Sequence, residues 1–158
     1  MTAMADDWDD DTTLGTARDW LRARVEEGAY CPCCTQFAKV YKRKITSPMA
    51  RGLIKQHRLV GRDYAHSAEL VKSETHEFSQ LSWWGLVEEL AERRGDGGKA
   101  GWWRITELGN LFVRNLAQLP KYARVYDGRR LNLVIGERVS IQGALGTKFD
   151  YSDLMRGE

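Results

Sequence analysis

The sequence predicts an α+β chain, mainly α, with an N-terminal helix, a cysteine-rich turn and a C-terminal β-hairpin extension. Three observations carry that expectation. Several segments place apolar residues three and four apart between capping residues, two turn clusters (Gly95-Asp96-Gly97-Gly98 and Asp127-Gly128) separate strand-like runs, and Cys31, Cys33 and Cys34 fall together in one tetrapeptide. At 158 residues the chain is long enough for one domain with a real core. The expected organisation is a disordered acidic leader over 1–11, a domain over 12–119 that includes the turn 31–34, and an extension over 120–158.

The elements follow in order. Leu14, Ala17, Trp20, Leu21 and Val25 have helical spacing, with Thr12 or Thr13 as N-cap and Gly28 as the stop. After the cysteines, Phe37, Val40, Tyr41 and Ile45 again recur at three and four, with Lys39, Lys42 and Arg43 opposite, though so short a segment also fits a strand. Ser47-Pro48 reads as an N-cap with proline at the first helical position, opening a helix through Met49, Ala50, Leu53 and Ile54 to about Leu59. Short helices are expected near Ser67 to Val71 and from about Thr75 to Trp84, with Phe78, Leu81 and Trp84 inward. Segments 86–94 and 101–106 then flank the glycine cluster as a hairpin, and Thr106 caps a helix carrying Leu108, Leu111, Phe112 and Leu116 on one face. A second hairpin turns at Asp127-Gly128, and the chain closes with Ser140 to Leu145 and an acidic segment from Phe149 to Met155. Adjacent tryptophans cannot share one buried surface, so one of each pair (Trp84, and one of Trp102 and Trp103) is expected in the core. The others are expected to pack on the 120–155 tail or to anchor a partner. The tail itself reads either as a closure of the core or as a dimerisation or docking arm.

Charge is unevenly distributed. Met1 to Asp11 hold five aspartates and no base, whereas residues 12–158 hold 24 bases against 17 acids. From Gly28 to Arg62 there is no acid at all, against Lys39, Lys42, Arg43, Lys44, Arg51, Lys55, Arg58 and Arg62. Such a window implies an anionic partner or a solvated face. The acidic start is unlike a secretory signal, no run approaches the ~18 apolar residues of a membrane span, and three clustered cysteines make no secreted disulfide framework. A cytoplasmic protein with no membrane partner is expected.

Trp84-Gly85-Leu86-Val87-Glu88, the tip from Arg93-Arg94 to Lys99, and Ile105-Thr106-Glu107-Leu108-Gly109 together resemble the C-terminal half of a winged helix-turn-helix domain of the MarR and PadR type. The resemblance covers about forty residues well and about eighty loosely. It implies a recognition helix over about Thr75 to Trp84, a wing over Arg93 to Arg104, and duplex DNA as partner, in keeping with a transcriptional regulator. Implied contacts are Lys39, Lys42, Arg43, Lys44, Arg51, Lys55, Arg58, Ser79, Gln80, Arg93, Arg94, Lys99 and Arg104. Glu74 and Glu77 depart from the pattern, because carboxylates on a recognition helix repel phosphate, so backbone-dominated contacts are expected. A homodimer is a further expectation, and the alternative is a protein-interaction or host-modulating module on the same scaffold. Along its whole length, with the Cys-Pro-Cys-Cys turn, Tyr41-Lys-Arg-Lys44, Pro120-Lys-Tyr122 and Phe149-Asp-Tyr151, the chain resembles a family of bacterial and bacteriophage proteins. That likeness implies a bacterial or phage-infected host cell and adds no mechanism.

The glycine cluster lacks the spacing and Lys-Ser/Thr ending of a phosphate loop, and His57, His66 and His76 have no metalloenzyme spacing, so an enzyme is not expected. Cys31 and Cys34 have the Cys-Pro-x-Cys spacing of a zinc knuckle, with Cys33 or His66 as candidate further ligands for a structural zinc. Idle thiols and a redox pair also fit.

Overall fold

The computed structural model describes residues 8–71, 77–91 and 101–157, and these form a mixed α+β chain. They divide into two compact units, one of Met1–Arg43 with Arg124–Asn132, the other of Lys44–Ala123 with Leu133–Glu158. Among the described residues no helix is long and apolar enough to cross a membrane.

In the first unit, α1 (Leu14–Arg22) starts at Thr13, whose hydroxyl accepts the Thr16 amide at 3.1 Å. Residues 8–11 are held against it: Asp9 closes a turn to Thr12, and the Trp8 ring meets Trp20 edge-on at 5.4 Å. The helix stops at Arg22, well short of the expected Gly28, which turns the chain at φ 97° into the strand β1 (Ala29–Tyr30). That strand pairs antiparallel with β2 (Phe37–Ala38) around the cysteine turn. The helical reading of 37–45 is corrected here, since β2 and β3 (Tyr41–Lys44) are both strands. Their partners are distant in sequence: β3 lies beside β8 (Tyr122–Tyr126), which lies beside β9 (Arg129–Leu133). Between β8 and β9, Asp127 and Gly128 take φ 50° and 73°, the two left-handed residues that a tight I′ hairpin requires.

The second unit is built around α2 (Ser47–Val60), which buries Met49, Ala50, Leu53 and Ile54 on one face. Its N-cap is Thr46 rather than Ser47, one residue earlier than the proline implies. The Thr46 hydroxyl accepts the Met49 amide at 3.4 Å and donates to Glu77 Oε2 at 2.9 Å. After Gly61 come β4 (Ala65–His66), α3 (Ser67–Leu70) and a 3₁₀ helix, Phe78–Trp84, where an α-helix was expected; Thr75 and His76, its expected start, lie outside the described residues. Phe78, Leu81 and Trp84 do face inward. Gly85, at φ 74°, ends that helix and feeds β5 (Val87–Glu89). Strand β6 (Trp102–Ile105) lies between β4 and β5, with Ala65 opposite Trp103 and Val87 opposite Ile105. Alternation buries Trp103 and Ile105 and exposes Trp102 and Arg104.

Thr106 then caps α4 (Glu107–Val113), accepting the Gly109 amide at 3.0 Å and donating to the Gly85 carbonyl at 2.6 Å. This helix is shorter than expected, because Asn115 at φ 60° turns the chain and the Leu116 amide reaches back to the Leu111 carbonyl. Phe112 and Val113 are buried, whereas Leu108, Leu111 and Leu116 are exposed, which corrects the expected apolar face. Beyond it, β7 (Leu119–Pro120) pairs with β10 (Arg138–Val139). Two short helices, α5 (Ile141–Leu145) and α6 (Tyr151–Arg156), pack on α2, burying Ile141 and Leu145.

Candidate nucleic-acid interface

Two basic surfaces emerge, one in each unit. On the first, β3 and the residues just before it alternate, so Lys39, Tyr41 and Arg43 share one side of the chain. The Tyr41 ring has Lys39 Nζ 5.4 Å from its centre and the Arg43 guanidinium at 5.0 Å. Two cations held at one aromatic ring make a surface suited to phosphate and base together. Lys42 belongs to the same fully exposed strand, whose last residue, Lys44, falls in the second unit. The sequence carried this signal in the alternation Lys39-Val-Tyr-Lys-Arg43, and Tyr41 is the member that charge counting missed.

On the second unit, Arg51, Lys55 and Arg58 are spaced four and three apart and form one exposed stripe on α2. They line a groove of about 630 Å³ with Leu59, Glu69 and Leu154. The Arg51 guanidinium lies 4.3 Å from the centre of the Phe149 ring, a partner that charge counting also missed. Next to the stripe, His57 is half-buried with Nδ1 enclosed and without a hydrogen-bond partner. Burial, and then the charge of Arg114, hold its pKa below the usual histidine value. It therefore takes up a proton less readily than a free histidine, with the Arg114 charge beside it.

The other expected contacts are placed differently. Ser79 is exposed on the 3₁₀ helix with its carbonyl accepting from Ser82 Oγ at 2.6 Å, and Gln80 is half-buried. Arg104 lies opposite Glu88 across β5 and β6, forms an ion pair with it, and covers the Tyr64 ring at 5.2 Å. The Glu88 hydrogen bond and charge raise its pKa further. Arg93, Arg94 and Lys99 lie outside the described residues, as does His76.

The cysteine turn is tightly drawn. The Cys31 amide donates to the Gln36 carbonyl at 2.8 Å, and the Thr35 amide returns to the Cys31 carbonyl at 2.9 Å. Thr35 takes the left-handed φ of 63° that this return requires. Hydrogen bonding to the backbone of Cys34 and of Cys33, and to both of their side chains, holds the Cys31 pKa below the usual thiol value. Cys33 and Cys34 are exposed and Cys31 is half-buried. His66 belongs to the other unit, where Nδ1 accepts the Ala68 amide at 3.2 Å and caps α3, with its ring edge-on to Trp102 at 5.5 Å. Among the described residues no group of three or more His, Cys, Asp or Glu side chains stands together as a metal site.

No protein-family model matches the chain, and comparison with curated proteins and with solved structures returns no match.

Proposed function

We propose that this chain is a winged-helix protein that binds duplex DNA mainly through its phosphate backbone. The observation that carries the reading is the order α2, β4, α3, 3₁₀ helix, β5, β6, α4, with β6 between its two partners. In a winged helix a three-stranded sheet backs the helices and the connection between its last two strands forms the wing, and the observed order supports that reading. The stripe Arg51, Lys55, Arg58 and the pair Lys39 and Arg43 around Tyr41 support an anionic partner. Meanwhile the short helix at the recognition position offers Ser79 and Ser82 rather than arginine or lysine, which supports weak sequence preference.

Titration of a non-specific duplex at several salt concentrations tests this. Binding that weakens linearly in log salt, with a slope of about −0.9 for each phosphate contacted, is the expected result. No affinity at low salt, or affinity indifferent to salt, refutes it. The alternative, a protein-interaction module on the same scaffold, draws support from the exposed Leu108, Leu111 and Leu116, and becomes the better reading in that event.

A further inference from the structure

The cysteine turn plays no part in the binding surfaces above, yet it is closely drawn by its own backbone hydrogen bonds. A threonine in the left-handed region costs about 1 kcal/mol that glycine would avoid. What this conformation achieves is local: the Thr35 amide closes back on the Cys31 carbonyl and the Cys31 amide on the Gln36 carbonyl, so Cys31 and Cys34 stand at Cys-Pro-x-Cys spacing in one closed turn at the tip of a hairpin. Zinc takes four ligands in a tetrahedron, and two thiolates at this spacing supply half of that set. The rest of the tip has its own signature. Tyr30 and Phe37 sit directly opposite each other on β1 and β2, stack edge-on at 5.2 Å, and are 63% and 53% exposed. Two aromatic rings left largely in water beside a pair of sulfurs form a surface built for cover.

We propose that Cys31 and Cys34 are half of a four-thiolate zinc site completed by the same two cysteines of a second copy of this chain. A two-fold axis through the ion makes the contact self-complementary, so Tyr30 and Phe37 of each copy close around the other copy's turn. Each bound thiol releases its proton to solvent, and one Zn²⁺ with four thiolates carries a net charge of −2. The acid-free stretch from Gly28 to Arg62, with Lys39, Lys42 and Arg43 in the same unit as the turn, offsets that charge. Cys33 is only two residues from Cys31, off the Cys-x-x-Cys spacing of a knuckle, and is left outside the set. The site is independent of the nucleic-acid reading and stands if that reading fails.

The test uses the full chain, reduced and stripped of metal, titrated with Zn²⁺ and followed by sedimentation velocity. One zinc taken up per two chains, together with conversion of monomer to dimer, is the expected result. Co²⁺ in place of zinc gives the charge-transfer absorption of four sulfurs per ion. Cys34→Ser abolishes both uptake and dimer, Cys33→Ser retains both, and Tyr30→Asp weakens the dimer at least tenfold. One zinc per monomeric chain, no uptake, or fewer than four sulfurs per cobalt overturns the proposal. The cobalt spectrum of the unaltered protein decides even if Cys34→Ser fails to fold.

Discussion

Replacing Gly109 by alanine tests how the second unit is assembled. Gly109 is the third residue of α4, where alanine is intrinsically better than glycine by about 1 kcal/mol. Here the surroundings reverse that preference. A methyl group on its Cα would stand 2.9 Å from Ile105 Cγ2 and 3.0 Å from the Leu86 carbonyl carbon, and would overlap the Leu86 carbonyl oxygen. The Ile105 methyl can rotate away, but the Leu86 backbone is fixed by the Thr106 amide at 3.0 Å and, one residue earlier, the Gly85 carbonyl by the Thr106 hydroxyl. Relief therefore means moving α4 off the 85–86 turn by about an ångström in a close-packed interior. Loss of those two hydrogen bonds costs about 0.5–1.5 kcal/mol each, and overpacking adds about 1–3. After the helix gain of about 1 kcal/mol is subtracted, Gly109→Ala is expected to destabilise by about 1–5 kcal/mol. For a chain of this size each kcal/mol lowers Tm by about 2–4 °C. Gly15→Ala is the control, since Gly15 lies in α1 with nothing closer than Thr13 Oγ1 at 3.9 Å, and it is expected to stabilise by about 0.5–1 kcal/mol. Urea denaturation of both variants measures the pair. If Gly109→Ala is as stable as the unaltered protein, the account of how α4 seats on the 85–86 turn is wrong.

Charge reversal of Lys42, Arg43 and Lys44 together is expected to weaken duplex binding by at least an order of magnitude at moderate salt. It should also flatten the salt slope by up to about 2.7, equally for unrelated sequences, as direct titration will show. His57 makes stability depend on pH. Its folded-state pKa lies below 6.5 and its unfolded value near it, so the unfolded chain takes up the proton first and stability falls as pH drops below about 6.5. Denaturation midpoints at pH 7.5 and 5.5 should differ less in His57→Gln than in the unaltered protein. Tyr151 donates its hydroxyl to the Val113 carbonyl at 2.6 Å, and burial raises its pKa so that it keeps that proton. Tyr151→Phe is expected to lower stability by about 1 kcal/mol in the same assay.

How much of this was legible depended on whether the deciding interaction is local. The Asp127-Gly128 hairpin, the Thr106 cap, and the division of Trp83-Trp84 and Trp102-Trp103 between core and surface follow from turn chemistry, capping and alternation within a few residues. Strand β3 was not legible, because its partner β8 enters some eighty residues later and four exposed residues carry no period of their own. The segment before Gly85 read as an α-helix from its apolar spacing. It folds as a 3₁₀ helix where Ser82 Oγ competes for the Ser79 carbonyl and two tryptophans crowd the last turn. Charge counting found the basic stretch but not the rings that organise it, since Phe149 meets Arg51 only through the packing of the C-terminal helices.

The stripe on α2 can serve a binding role only if the helix cannot roll, because a roll of one residue position, about 100°, would carry Lys55 toward the core. Apolar packing alone permits small rotations; the Gln56 side chain does not. It is fully buried, and its Nε2 donates to the Trp103 carbonyl on β6 at 2.7 Å and more weakly to the Asp63 carbonyl at 3.5 Å. The same amide leaves Oε1 buried without a partner, so the residue is a net compromise. Gln56→Leu keeps the volume, strands the Trp103 carbonyl at a cost of about 1–3 kcal/mol, and removes the unsatisfied Oε1, for a net loss of about 1 kcal/mol. Gln56→Ala strands the same carbonyl and adds a cavity, for about 2 kcal/mol more. If the amide sets the rotation of α2, Gln56→Leu should weaken duplex binding beyond what its small stability loss explains. Equal binding by Gln56→Leu and the unaltered protein would mean that apolar packing alone orients Arg51, Lys55 and Arg58.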